Sequence, residues 1–304
     1  MAADRRLFPG PAVRRMLDYN YSPFLYLLPT LLFLALFLAY PILEVVRQSF
    51  FHNVVIRPHE GTPFVGFENY MQLFTSSRFQ RALQITVYWT VLSVAGKLFI
   101  GFVAALLLQH RFRARRIYLT LIMIPWVTPI VVAAVIWRWV MNSQYGQLNA
   151  LLELIGIDGI AWLGGTTTAF TMTAAVDMWV GIPFVTLVLM AGLQSIPDEL
   201  YEAARVDGAG AWAMLRHVTL PGIRHILMVV ALLSTVWTFN SFQVIWPLTR
   251  GGPARATTTL VIATYQISFG AFDFGRGAAY AVVIFLILLA VSCGYWFAIG
   301  RDER

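Results

Sequence analysis

Six apolar runs, each near the length of one bilayer crossing, constrain what this chain can fold into: 24–46, 85–108, 117–141, 169–193, 226–248 and 278–299. A helix spans the hydrocarbon with about 20 residues. The runs are continuous rather than alternating, which favours helices over a membrane barrel, whose strands alternate between lipid and lumen. Composition agrees. With 59% hydrophobic and only 12% charged residues, the chain has too little polar surface for one water-soluble core, since soluble domains carry roughly a quarter charged residues. The formal charge of +7 does not indicate nucleic acid, because the basic residues fall between the apolar runs and not along one face.

Arginine placement between the runs sets the direction. With the N-terminus inside, the inner segments hold thirteen (Arg5, Arg6, Arg14, Arg15, Arg111, Arg113, Arg115, Arg116, Arg205, Arg216, Arg224, Arg301 and Arg304). The outer ones hold seven (Arg47, Arg57, Arg78, Arg81, Arg250, Arg255 and Arg276). Both termini are therefore expected in the cytoplasm. The organisation that follows is a tail over 1–23, one membrane domain over 24–300, and a tail over 301–304. The apolar stretch after the basic N-terminus is far longer than a signal-peptide core, so the first run is expected to remain as an anchor. The single cysteine, Cys293, lies in the last run and excludes an intrachain disulfide; it reads as a packing residue.

Local signals refine this picture. The 67–74 stretch in the first outer connection is amphipathic and aromatic, suited to lying at the interface, and Ser76 or Ser77 is placed to cap the helix that follows. Trp137, Arg138 and Trp139 suggest anchors at the outer end of the third run. Pro125 and Pro129 predict a kink within it.

The most specific segment is 195–221, between the fourth and fifth runs. Ser195 with Asp198 forms a capping-box-like start, and Pro197 suits a first turn. Good helix formers follow through Glu202, Ala203, Ala204 and Arg205. Asp207-Gly208 ends that helix, Gly208 supplying the left-handed conformation. A second short helix is expected from about Gly210 to His217. Helices of this length are marginal alone, and Ala203 and Ala204 would allow close approach by another protein. The alternative is an ordinary loop resting on its own bundle.

Glu202-Ala203-Ala204, Asp207-Gly208-Ala209 and Leu220-Pro221 closely resemble the EAA loop of bacterial ABC importer permeases, and most of the chain is similar to the maltose-type sugar permeases. Pro29, Tyr40-Pro41, the 65–70 stretch, the 191–197 stretch and Gly251-Gly252-Pro253 carry that likeness. Leu215 departs from it, standing where the family often has an aromatic. The resemblance implies an all-α integral membrane protein of about six transmembrane helices, with the type I ABC importer permease fold and a cytoplasmic EAA coupling loop. It assigns ATPase coupling to Glu202, Ala203, Ala204, Asp207, Gly208 and Ala209. The implied setting is the bacterial cytoplasmic membrane. The implied partners are a second homologous permease subunit, two nucleotide-binding ATPase subunits that carry the ATP and Mg, and an extracytoplasmic sugar-binding protein.

The substrate path is sought where polar residues sit deep in apolar runs. An acidic or basic residue at the centre of a span costs about 2.5–3.5 kcal/mol on insertion scales, so such residues face the protein interior or a water-filled path. Asp177, Gly181 and Phe184 fall at i, i+4 and i+7, one helical stripe. Asn240 and Gln243 are one turn apart, beside Trp237 and Phe239, and amides with aromatics suit the hydroxyls and C–H faces of a sugar. The family resemblance implies a midplane sugar site at Asp177, Val180, Gly181, Phe184, Phe239, Asn240 and Gln243. The competing reading is that these groups only hold helices together. Lys97, the one lysine, has three options: snorkelling, pairing with Asp177, or meeting an anionic substrate. The first two are favoured.

No G-x-x-x-x-G-K-[ST] loop occurs, so this chain is not expected to bind ATP in that way or to act as an enzyme. The histidines lie outside the apolar runs, and neither H-E-x-x-H nor G-x-S-x-G is present. No cofactor or metal is expected on this chain. The alternative transporter class, an ion-driven secondary transporter, would have paired inverted repeats, which are not evident here.

Overall fold

The computed structural model describes residues 22–110 and 112–300. The tail with Arg5, Arg6, Arg14 and Arg15, the loop residue Arg111, and the C-terminal Arg301 and Arg304 lie outside the described residues. The apolar runs become helices, as a bilayer demands, because only helices satisfy backbone polar groups within the segment itself. Helix α1 runs through Ser22–Leu34, a π-turn at Ala35–Ala39, and Tyr40–Gln48; the π-turn lies immediately before Tyr40-Pro41. The short α2 (Glu68–Thr75) leads into α3 (Ser77–Gln109). Next come α4 (Arg115–Val127), α5 (Ile130–Val140), α6 (Gln147–Leu154) and α7 (Thr166–Gln194). The loop helices are α8 (Asp198–Val206) and α9 (Ala211–Met214). The rest is α10 (Arg224–Phe239), α11 (Phe242–Thr249), α12 (Leu260–Tyr265) and α13 (Phe274–Gly300). Among the described residues, five helices or continuous helix pairs are long and apolar enough to cross a membrane, and α4 with α5 makes a sixth.

Four sequence expectations are corrected in detail. The third apolar run is not one kinked helix but two, α4 and α5, meeting at 99°. Pro129 lacks the amide hydrogen an unbroken helix would use there, and Thr128 before it is extended (ψ 129°), as a residue preceding proline prefers. The fifth run is likewise interrupted, at Asn240-Ser241, between α10 and α11. Ser76 takes the N-cap position of α3 but makes no side-chain cap bond. Ser195 does not cap α8 either; its hydroxyl donates to the Gly192 carbonyl at 2.7 Å, and Pro197 occupies the N-cap.

The bundle is built around α3 and α7. Small residues let them approach closely, as in membrane helix pairs where van der Waals packing replaces the hydrophobic drive. A Cβ on Gly101 would stand 2.6 Å from Val185 Cγ1. Towards one end of the bundle, Ala105, Val185, Leu189, Leu193, Ile196, Ile223 and Val230 join α3, α7 and α10. At the other end, Ala134, Met141, Val176, Val244 and Leu248 lock the broken helices α5 and α11 against α7. The first outer connection is pinned by Asn69, whose amide donates to the Ser49 and Phe51 carbonyls at 2.9 and 3.0 Å. Trp139 stays exposed, whereas Trp137 turns inward onto Trp179 and Arg138 donates to the Pro247 carbonyl.

Candidate functional site

The two helix breaks meet across a cavity of about 360 Å³, lined by Lys97, Trp126, Ile130, Asp177, Val180, Gly181, Val236, Trp237, Asn240, Ser241 and Gln243. Each break has a consequence for the site. At the α4–α5 break, Trp126 is turned towards α7, where it stacks on Phe184 with centroids 5.2 Å apart and planes 16° from parallel. Phe184 also packs against Trp237 at 4.8 Å. Trp126 and Trp237 remain 43% and 48% exposed, enough to offer ring surface to a ligand. At the α10–α11 break the helix ladder lapses, and Asn240, Ser241 and Gln243 bring polar side chains to the lining. The Asn240 amide donates to the Val236 carbonyl at 3.0 Å, leaving its oxygen as an acceptor.

A polar network forms the back wall. Lys97 Nζ lies 2.6 Å from Asp177 Oδ2 and donates to Thr238 Oγ1 at 2.8 Å. Ser241 Oγ donates to Asp177 Oδ1 at 2.7 Å. Trp89 Nε1 donates to the Thr238 carbonyl at 2.9 Å. The network ties α3, α7 and α10 to the start of α11. Of the readings open for Lys97, pairing with Asp177 is the one found.

Asp177, Val180, Gly181, Trp237, Asn240 and Gln243 therefore share one cavity, with Phe184 supporting its aromatic wall. Phe239 does not join them: it is 5% exposed and packs with Leu73, Phe79, Leu260 and Ala263. As the last residue of α10, one position before Asn240, it is turned about 100° away from that residue around the helix. Trp126, Ile130, Val236 and Ser241 were not singled out by sequence. Trp126 had a signal, an aromatic next to Pro125 in a helix expected to kink, but neighbouring apolar residues give no clue to which face lines a cavity.

At the other end of α7 the 195–221 loop stands apart. Glu202, Ala203 and Ala204 lie on α8, and Gly208 has φ +79°. The Gly208 and Ala209 amides close the helix onto the Arg205 and Ala204 carbonyls at 3.0 and 2.8 Å. The second helix is shorter than expected: after Ala211–Met214 it widens into a π-turn, Leu215–Thr219. Tyr201 anchors the loop through a 3.1 Å hydrogen bond with Thr219. Val206 and Trp212 are 87% and 73% exposed.

Residues 97–299 match the family model described as binding-protein-dependent transport system inner membrane component. The chain belongs to that family. This inner membrane component is 32% identical to the trehalose/maltose transport system permease protein MalF of Thermococcus litoralis, over 92% of this chain and 94% of the relative. It is 34% identical to the sulfoquinovosyl glycerol transport system permease protein SmoG of Agrobacterium fabrum, over 89% and 88% respectively. Its fold matches a chain of a bacterial ABC transporter involved in import of the acidic polysaccharide alginate, with a TM-score of 0.82 at 22% identity, covering 96% of this chain and 100% of that one. The type I ABC importer permease fold expected from the sequence is thus present, as a multi-pass inner membrane component.

Proposed function

We propose that this chain forms half of the pore of an ATP-driven importer and carries a sugar, a small oligosaccharide, disaccharide or sugar derivative, by alternating access. The observation that carries the reading is the cavity at the two helix breaks, where tryptophan faces and amides converge at membrane depth. Irregular backbone is tolerated there only where it is buried or lines a water-filled space. Aromatic faces suit the C–H surfaces of a sugar ring, and amides suit its hydroxyls. Relatives named for sugar or sugar-derivative transport support the substrate class.

In this proposal the chain hydrolyses nothing itself. A second permease completes the pore, and two nucleotide-binding subunits hold ATP and Mg and receive the 195–221 loop. An extracytoplasmic binding protein delivers the sugar. Glu202, Ala203, Ala204, Asp207, Gly208 and Ala209 transmit closure of the ATPase subunits to α7 and α10, which the loop connects. The exposed Val206 and Trp212 lose apolar surface to water when such a partner covers them. Both termini and the loop share the cytoplasmic side.

Purification of the tagged chain from native membranes in mild detergent tests the proposal. Recovery with a second permease and an ATPase, whose hydrolysis rises with a binding protein and one sugar, is the expected result. A chain that transports alone in liposomes, without ATP, would overturn it in favour of an ion-driven carrier.

A further inference from the structure

The back wall of the cavity holds an ion pair to which the transport cycle above gives no task. Lys97 and Asp177 both line the cavity, yet their side chains are only 7% and 5% exposed. Lys97 donates to Thr238 behind the lining, and Asp177 Oδ1 accepts from Ser241 on it, while Asp177 Oδ2 has the ammonium beside it and no further hydrogen-bond partner. The pair also depends on a space made for it. A Cβ at Gly181, one turn beyond Asp177, would stand 2.6 Å from Lys97 Cε and 2.8 Å from Cδ. Any side chain here would force the lysine to shift from the course it takes past α7 to the carboxylate.

Among the described residues the lining holds no other charged side chain. Its remaining polar side chains are those of Asn240, Gln243 and Ser241 and the indoles of Trp126 and Trp237, neutral groups of the kind that pair with hydroxyls. An anionic cargo group would have to draw Lys97 away from Asp177. That would leave a buried carboxylate without its counter-charge, a strongly unfavourable state, while the cargo itself met the negative charge of Asp177.

We infer that the Lys97–Asp177 pair is the charge-selecting element of this half-site: it withholds the lysine from cargo and fits the cavity to uncharged saccharides. The inference rests on the sugar-import reading and narrows its substrate class. Gly181 is a positioning residue in this arrangement, admitting the lysine rather than contacting sugar.

The test uses the complete complex in lipid nanodiscs without binding protein, so that the cavity alone selects. Binding of maltose, maltotriose and cellobiose is compared with that of digalacturonate and trigalacturonate. The wild type is expected to favour the neutral sugars. Asp177→Asn frees the ammonium and should move the ratio towards the uronates by on the order of tenfold or more, the effect of one uncompensated charge in a partly desolvated site. The double variant Lys97→Gln/Asp177→Asn removes both charges and keeps amides in place; with neither the repelling carboxylate nor a free ammonium left, it should move the ratio towards the uronates by less than the single variant, and it also serves if that variant does not fold. Uronate preference in the wild type overturns the inference, as does an unshifted ratio in either variant.

A second readout needs no sugar. Quenching of tryptophan fluorescence by iodide, relative to uncharged acrylamide, reports the charge beside Trp126 and Trp237. It should rise in Asp177→Asn and return to the wild-type level in the double variant. If none of the sugars binds but iodide quenching rises in this way, the sugar reading fails and the charge-selecting pair stands. If iodide quenching is unchanged, the pair is not accessible from the cavity and the inference fails.

Discussion

Replacing Gly181 by alanine should destabilise the chain through Lys97 and through nothing else. The new methyl would stand 2.6, 2.8 and 3.2 Å from Lys97 Cε, Cδ and Nζ, well inside van der Waals contact. The lysine is the far end of a flexible side chain, but it is held on both sides, by Asp177 at 2.6 Å and Thr238 at 2.8 Å, so it cannot yield without lengthening one of those contacts. Overpacking of this kind costs about 1–3 kcal/mol. Against it stands the gain of alanine over glycine within a helix, about 0.5–1 kcal/mol. The net expectation in the wild-type background is a loss of about 0–2.5 kcal/mol, centred at about 1 kcal/mol. In a Lys97→Ala/Asp177→Asn background the obstruction is gone and only the helix term remains, so the same substitution should stabilise by about 0.5–1 kcal/mol. Unfolding in mixed SDS micelles, followed by tryptophan fluorescence, measures both values, and the change of sign is the signature. A Gly181→Ala variant stabilised as much in the wild-type background as in the Lys97→Ala/Asp177→Asn background would show that the glycine does not make room for the lysine.

Further predictions concern the loop, the cavity and the core. Gly208 has open space around a would-be Cβ but a φ of +79°, so Gly208→Val should strain only that backbone, by about 1–2 kcal/mol. Such a chain should fold while uncoupling ATP hydrolysis from uptake, and normal coupled uptake in vesicles would remove the loop from the coupling role. Asn240→Ala should impair sugar uptake while the ATPase still co-purifies; unchanged uptake kinetics would remove Asn240 from the site. Thr86 Oγ1 accepts the Leu260 amide at 2.8 Å in the buried core, so Thr86→Val should orphan that donor at the start of α12. The expected cost is about 1–3 kcal/mol, read as a lower unfolding midpoint; an unchanged midpoint would mean that the amide finds another acceptor.

Much of the architecture was legible because a bilayer leaves a sequence few choices. Apolar runs of the spanning length must become helices, and the 85–108 and 169–193 runs lie within α3 and α7. Gly208 was placed correctly as a helix terminator because local backbone chemistry alone sets that conformation. The clustering of Asp177, Val180, Gly181, Trp237, Asn240 and Gln243 was expected from polar residues at helical spacing and from family likeness. The misplacement of Phe239 has the opposite cause: adjacency to Asn240 in sequence means a turn of about 100° around the helix, and only packing reveals which side faces the cavity.

The sequence by itself determined that this chain lives in a membrane and about how many times it crosses, since both depend on local composition and spacing. Tertiary structure alone decided that Lys97 pairs with Asp177, that the lysine passes closely over Gly181, and that Trp126 joins Trp237 across the cavity. Those outcomes depend on the approach of α3, α4, α7 and α10. Residues 141 positions apart, as Lys97 and Thr238 are, share no local pattern that would disclose their contact.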